Sequence, residues 1–291
     1  MQIGIGLPNA IQGIDRRGIV DWARRAEAAG FSTLGAIDRI AYLNYEPLIA
    51  LAAAAAVTER IRLMTDILIA PLRANTALFA KQAATIDHLS GGRLVLGLGV
   101  GLRADDFEVS GVDFHTRGRA FEAQLAELAR LWDGEGGVGP RPPGGRPRIV
   151  MGGGADVAFR RAAEHAEGWT MGGGPPDSFA EAMDRLRAAW AEAGREDEPR
   201  GVAMAYFCLG ENAEEVARRN FGDYYAFLGE WSGAIADASA NDADAVKELA
   251  AAYEAAGADE VIFVPGSPDP EQVDLLADAA GLGSRSSAGA A

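Results

Sequence analysis

The chain has 291 residues, 48% of them hydrophobic and 24% charged, which suits one large unit with a sizeable core, the size at which α/β barrels fold as single domains. Its net charge of −15 excludes the basic footprint that nucleic-acid or anionic-membrane binding requires. A lone cysteine, Cys208, excludes an intramolecular disulfide framework, and the start MQIGIGLPNA has neither the basic region nor the long apolar core of a signal peptide. The longest apolar run, residues 48–57, is mostly alanine and too short to span a bilayer, so a soluble cytoplasmic protein is expected.

The first expected strand, residues 3–7 (IGIGL), stops at Pro8-Asn9. Asp15 is placed to cap a helix running to Ala29, whose apolar face is Ile19, Val20, Ala23, Ala26 and Ala29, with Gly30 in the position after its end. Residues 31–37 form a second strand with Asp38-Arg39 at its C-terminal end. The pattern recurs with a helix over 47–58 and a strand over 61–70, which Pro71 closes because proline cannot donate to the ladder. Asn75 caps a helix over 76–88, Ser90-Gly91-Gly92 turns the chain, and residues 94–97 make the fourth strand. A loop containing Asp105-Asp106-Phe107 leads to a helix over 117–132.

The Gly- and Pro-rich stretch 134–148 reads as a surface loop, because it re-enters a strand at 149–151 directly. A helix over 155–166, a strand over 168–171, a helix over 177–193 and a strand over 202–209 follow. Helices over 213–228 and 242–256 flank an irregular insertion at 229–241, after the seventh strand. The last strand is 260–264 and the last helix 269–280; the small, polar tail 282–291 is expected to be disordered, leaving residues 1–281 as one domain. Eight strands, each followed by helix, give a parallel sheet and predict a (β/α)₈ barrel, with an open doubly wound sheet as the alternative.

In such a barrel, chemistry sits at the C-terminal ends of the strands. Both lysines, Lys81 and Lys247, fall within helices, which disfavours a Schiff-base aldolase. His88, His115 and His165 are scattered, so no metal cluster is expected, and no G-x-S-x-G elbow is present. Asp38 and Asp66 could form a carboxylate pair, but the strand ends lack other acids and aromatic sugar platforms. They carry three glycine clusters instead: Gly97, Gly99 and Gly101; Gly152, Gly153 and Gly154; Gly172, Gly173 and Gly174. Any one cluster is as readily a turn. Three on consecutive strands point to backbone amides that receive the anionic arm of a cofactor, which would then carry the chemistry.

The segment AKQAATIDHLSGGRLVLGLGVG, with RIRLMTDILIAPLR before it and DDFEVSG after it, resembles the luciferase-like family of flavin- or F420-dependent oxidoreductases. Trp22-Ala23, Gly30-Phe31, IVMGGG and HAEGWTMGGG extend the likeness over nearly the whole chain. The resemblance implies a (β/α)₈ barrel with the flavin or deazaflavin ring over Thr65, Asp66 and Ile67, a non-prolyl cis peptide at Asp66–Ile67, and a phosphate or tail at Val100, Gly101, Leu102, Gly152, Gly153 and Gly154. Arg119 matches a phosphate-binding arginine of the luciferase branch, with a spacing one residue longer, and reads equally as a solvated helix charge.

Two departures from the family pattern bear on proton transfer. Asp38-Arg39 stands where many members have an acid followed by histidine, and arginine holds an anion but does not readily shuttle protons. Gly101-Leu102 replaces the usual Gly-Trp. Asp38 and Arg39 are therefore expected at the reacting centre, with His115 the one histidine placed to reach it. Asp105 and Asp106 read either as early-helix acids or as groups near the cofactor tail. Tyr224, Tyr225, Phe227 and Trp231 either roof the site or pack within their helices, and Met64, Met171 and Met204 are expected in the core. The resemblance implies a monooxygenase that uses reduced FMN and O₂ on a small organic substrate, with a flavin reductase as partner and a homodimeric assembly. Coenzyme F420-dependent hydride transfer is the alternative cofactor reading. A flavin-binding protein without turnover is a third, favoured by the missing histidine.

Overall fold

The computed structural model describes residues 1–282, and in it eight parallel strands close into a barrel in chain order. They are β1 (Gln2–Gly6), β2 (Thr33–Ala36), β3 (Arg62–Ile69), β4 (Leu94–Gly99), β5 (Arg148–Gly152), β6 (Gly168–Met171), β7 (Arg200–Phe207) and β8 (Glu260–Pro265). Pairing of Ile3 with Val261 and Ile5 with Phe263 closes β1 onto β8, so the barrel stands and the open sheet falls away.

The helices of the outer ring start and stop for local reasons. Helix α1 (Gly18–Ala29) buries Ile19, Trp22, Ala23 and Ala26 and ends at Gly30, whose φ of 92° only glycine adopts freely. Asp15 lies outside it, where its carboxylate accepts the Arg17 amide at 2.8 Å instead of capping the helix. Helix α2 (Pro47–Ala55) begins on proline, with the Glu46 side chain accepting from the Ile49 amide at 2.7 Å. Asn75 caps α3 (Thr76–Leu89) through the Leu78 amide at 3.0 Å.

Helix α4 (Ala104–Val109) occupies part of the expected loop, with Asp105 and Asp106 in its first turn; α5 (Arg117–Trp132) follows. Helices α6 (Asp156–His165) and α7 (Pro176–Glu192) flank β6. The expected helix over 213–228 breaks early: α8 (Ala213–Tyr224) gives way to a 3₁₀ segment, Ala226–Trp231, interrupted at Gly229. The insertion is then partly regular, because α9 (Ser232–Asp237) forms within it before α10 (Ala243–Ala255) and α11 (Glu271–Ala279) complete the ring. The expected tail lies outside the described residues from position 283 onward.

The barrel interior is layered. At the N-terminal end Glu260 is fully buried and accepts from Ser32, from Thr33 Oγ1 at 2.7 Å and from Arg200 Nη2 at 2.5 Å, with Arg62 Nη2 at 3.2 Å. Above it Met64, Val95, Val150, Val202 and Ile262 form an apolar plug. Over that plug β3 is irregular: the Asp66–Ile67 peptide is cis, and Thr65 pairs with Leu96 but Leu68 with Leu98. Two residues of β3 thus face Gly97 alone.

Candidate functional site

Above the irregular part of β3 a cavity of about 610 Å³ opens at the C-terminal ends of the strands, within the size range of small-molecule and cofactor sites. Its floor and inner wall carry Ile37, Asp66, Ile67, Thr170 and Met204, and one side carries Val100, Gly101 and Leu102. The Gly152–Gly154 turn and Gly172-Gly173 form another side, and Tyr225 and Phe227 from the insertion cover it. Arg103 and Arg185 also line it.

Steric room explains part of the glycine pattern. A Cβ on Gly97 would stand 1.9 Å from the Thr65 carbonyl oxygen, and one on Gly99 2.1 Å from Ile67 Cδ1. These two glycines lie inside β4 and admit the irregular turn of β3; they do not line the cavity. Gly101 does, with φ of 74°. Gly153 has φ of 119°, and a Cβ on Gly154 would meet nothing within 4 Å. Both residues are exposed just before the first turn of α6, although a Cβ on Gly153 would stand 3.1 Å from Ala158 Cβ, and peptide N–H groups there suit an anion. Trp169 Nε1 donates to the Gly153 carbonyl at 2.8 Å and holds that turn in place.

Asp38 and Arg39 both reach the cavity, but each is engaged elsewhere. Asp38 accepts from both guanidinium nitrogens of Arg73, one of them at 3.0 Å, and from the Ile69 amide at 2.8 Å; burial raises its pKa against that pull. The Arg39 guanidinium donates to the Tyr224 carbonyl at 2.8 Å and the Ala41 carbonyl at 3.0 Å, and lies 4.4 Å from the Tyr42 ring centre. Burial and nearby Arg103 lower its pKa. Arg103 pairs with Asp105 and sits 4.0 Å from the Phe227 ring centre, joining β4's exit loop to the insertion.

Asp66 is the exception among these acids. It is 3% exposed; its Oδ1 accepts from Thr170 Oγ1 at 2.7 Å, while its Oδ2 has no partner. Burial pushes its pKa up to about 7. Beside it on the cavity wall Tyr225 meets Tyr206 hydroxyl to hydroxyl at 2.5 Å, and burial raises both phenols, Tyr225 to about 12.

Ten of the expected site residues therefore converge: Asp38, Arg39, Asp66, Ile67, Val100, Gly101, Leu102, Gly152, Gly153 and Gly154. Three do not. Thr65 is fully buried and donates its hydroxyl to the Gly97 carbonyl at 2.8 Å. His115 is exposed on a 3₁₀ turn, edge-on to Phe114, and Arg119 is exposed on the first turn of α5; neither lines the cavity. Thr170 was missed in the sequence, although alternation along β6 places it inward, opposite Trp169. The hydroxyl pair of Tyr206 and Tyr225 leaves no sequence signal, since it joins a strand to an insertion. Among the described residues no group of three or more His, Cys, Asp or Glu is placed to hold a metal, and no helix is long and apolar enough to cross a membrane.

A model of the luciferase-like monooxygenase family matches residues 1–285. A relative is an uncharacterized protein of Mycobacterium tuberculosis, 33% identical over 60% of this chain and 71% of its own. Another is the pyrimidine monooxygenase RutA of Cronobacter sakazakii, 28% identical over 63% of this chain and 58% of that enzyme. Among solved structures, an F420-dependent secondary alcohol dehydrogenase in complex with an F420–acetone adduct superposes with a TM-score of 0.78 at 16% identity, over 97% of this chain and 98% of that one; it shares the fold.

Proposed function

The chain belongs to the luciferase-like monooxygenase family, and we propose that it is a flavin-dependent monooxygenase that uses reduced FMN and O₂ on a small organic substrate. The observation that carries this reading is the cavity's construction: Ile67, Val100 and their apolar neighbours form one wall, and the exposed Gly153–Gly154 turn before α6 lies at another. A flavin needs both, a flat apolar surface for its ring and backbone donors for its phosphate. In this reading the ring lies over Asp66 and Ile67, and the phosphate is received by Val100, Gly101, Leu102, Gly152, Gly153 and Gly154. Bound reduced flavin supplies the electrons and the reactivity toward O₂.

The residues supply position, exclusion of water and hydrogen bonding. Tyr225 and Phe227 cover the cavity, and Arg39 ties their segment down through the Tyr224 carbonyl. The name of the RutA relative supports monooxygenation. A homodimer in the cytoplasm, served by a flavin reductase, completes the proposal. A second reading, hydride transfer with coenzyme F420, is favoured by Arg103 and Arg185 on the cavity lining, since an acidic cofactor tail requires nearby cations.

Fluorescence titration of the purified protein with FMN, anaerobically reduced FMN and F420 tests both. Micromolar binding of FMN or its reduced form, followed by substrate-dependent flavin reoxidation, is expected. Tighter binding of F420 moves the assignment to hydride transfer, and binding of none of the three sinks both readings.

A further inference from the structure

Most buried acids of this protein are satisfied by cations or amides. Glu260 has two arginines and two hydroxyls, Asp38 has Arg73, and Asp87 accepts the Leu94 amide at 3.2 Å. Asp106 takes the Ile40 and Ala41 amides at 2.8 and 2.7 Å on one oxygen and has Arg103 Nε 3.5 Å from the other. Asp66 has none of this. Its one bond comes from a neutral hydroxyl, Thr170, and its second oxygen is unpartnered and closed off from solvent, on a residue that lines the cavity. The charged group that acts on it is Glu260, which repels, and the titratable groups facing it are the phenols Tyr225 on the insertion and Tyr206 on β7.

A carboxylate left in such a place would be a desolvated charge without a counter-ion, whereas a neutral carboxyl there has a donor to offer. We propose that Asp66 is the proton-bearing group of the cavity: as a neutral acid its carboxyl turns on ligand binding to donate the Oδ2–H to a carbonyl or ring-nitrogen acceptor of a planar heterocycle lying against β3, and it loses that bond when it ionises. The identity of the heterocycle as FMN or F420 rests on the proposed function; the protonation of Asp66 does not. The direction of its pKa, raised by burial, agrees with this role.

Binding that requires the protonated acid weakens as pH rises through the acid's own midpoint. FMN and F420 affinities of the full chain, read by fluorescence, should fall by about 10-fold or more between pH 6 and pH 8.5. Asp66→Asn keeps a donor but cannot ionise, so it should lose this fall and keep only the smaller change that the ligand's own ionisation imposes, such as the phosphate's second pKa of about 6, while Asp66→Val should bind weakly throughout. Equal pH dependence in wild type and Asp66→Asn overturns the proposal.

Carboxyl ¹³C shifts of the unliganded wild type give an independent reading. The expected outcome is one aspartate titrating near pH 7 that moves upward when Thr170→Val removes the bond to Oδ1, an assignment that holds even where Asp66→Asn does not fold. Titration of every aspartate in the ordinary carboxylate range overturns the proposal while leaving cofactor binding intact. Absence of binding by either cofactor, with the midpoint still near 7, overturns the flavin reading and not the acid.

Discussion

The Ile67 side chain projects toward β4 and β5, where a Cβ on Gly99 would stand 2.1 Å from its Cδ1 and one on Gly152 2.8 Å from its Cγ2. Gly99→Ala is therefore an overpacking substitution, expected to cost about 1–3 kcal/mol. Ile67→Val deletes the offending Cδ1, so the double variant should be more stable than the sum of the two single losses, with a coupling of about 1 kcal/mol in a urea-denaturation cycle. Gly97→Ala behaves differently. Its obstacle is the Thr65 carbonyl oxygen at 1.9 Å, which no side-chain truncation removes, so its cost should exceed that of Gly99→Ala and resist rescue by Ile67→Val. Sequence reasoning found these glycines and gave them the wrong task, because a glycine that admits a neighbouring strand and one that admits a ligand look alike in one dimension. Only Gly101 of that cluster reaches the cavity.

The segment after β7 is the element that makes the site more than an open barrel mouth. Beside the Arg103–Phe227 contact and the Tyr206–Tyr225 hydroxyl pair, Arg39 from the loop after β2 holds it closed: it donates to the Tyr224 carbonyl, and its guanidinium lies 5.2 Å from the Tyr224 ring centre and 4.4 Å from that of Tyr42. Arg39→Gln would leave two carbonyls short of a donor and remove both cation–π contacts, at a cost of about 2 kcal/mol. Amide exchange should quicken over residues 224–229 and not in the barrel strands, and flavin affinity should drop several-fold. A uniform rise in exchange would mean that Arg39 stabilises the barrel and not the insertion. Arg39→Lys should not restore the wild-type behaviour, since an ammonium cannot bridge both carbonyls in the plane of a fork. This function of Arg39 was not legible from sequence, which placed it correctly at the end of β2 but could not see its partner Tyr224, 185 positions away. The break of α8 at Tyr224 was hidden for a related reason: the next residue, Tyr225, bonds through its hydroxyl to Tyr206 on β7, a contact that local propensity does not encode.

For the molecule as a whole, the alternation of near-continuous apolar strands with amphipathic helices was enough to read the barrel, because parallel strands buried on both faces leave that signature. The polar layer of Glu260, Arg62 and Arg200 beneath the plug was not, since Arg62 and Arg200 lie 198 and 60 positions from Glu260 in the chain. Charge distribution works at this scale too. A net charge of −15 repels an anionic cofactor at long range, whereas Arg103 and Arg185, each already paired with an aspartate (Asp105 and Asp156), put positive charge on the cavity lining itself. The two fields respond differently to salt. The Debye length shrinks from about 30 Å at 0.01 M to about 10 Å at 0.1 M, which screens charges spread over the surface and leaves contacts within the cavity largely intact. Association of FMN, followed by stopped-flow fluorescence, should therefore accelerate over that range, and association of F420, with its more acidic tail, should accelerate more. Slowing of both with added salt would show that the rim arginines, and not the surface charge, govern the approach.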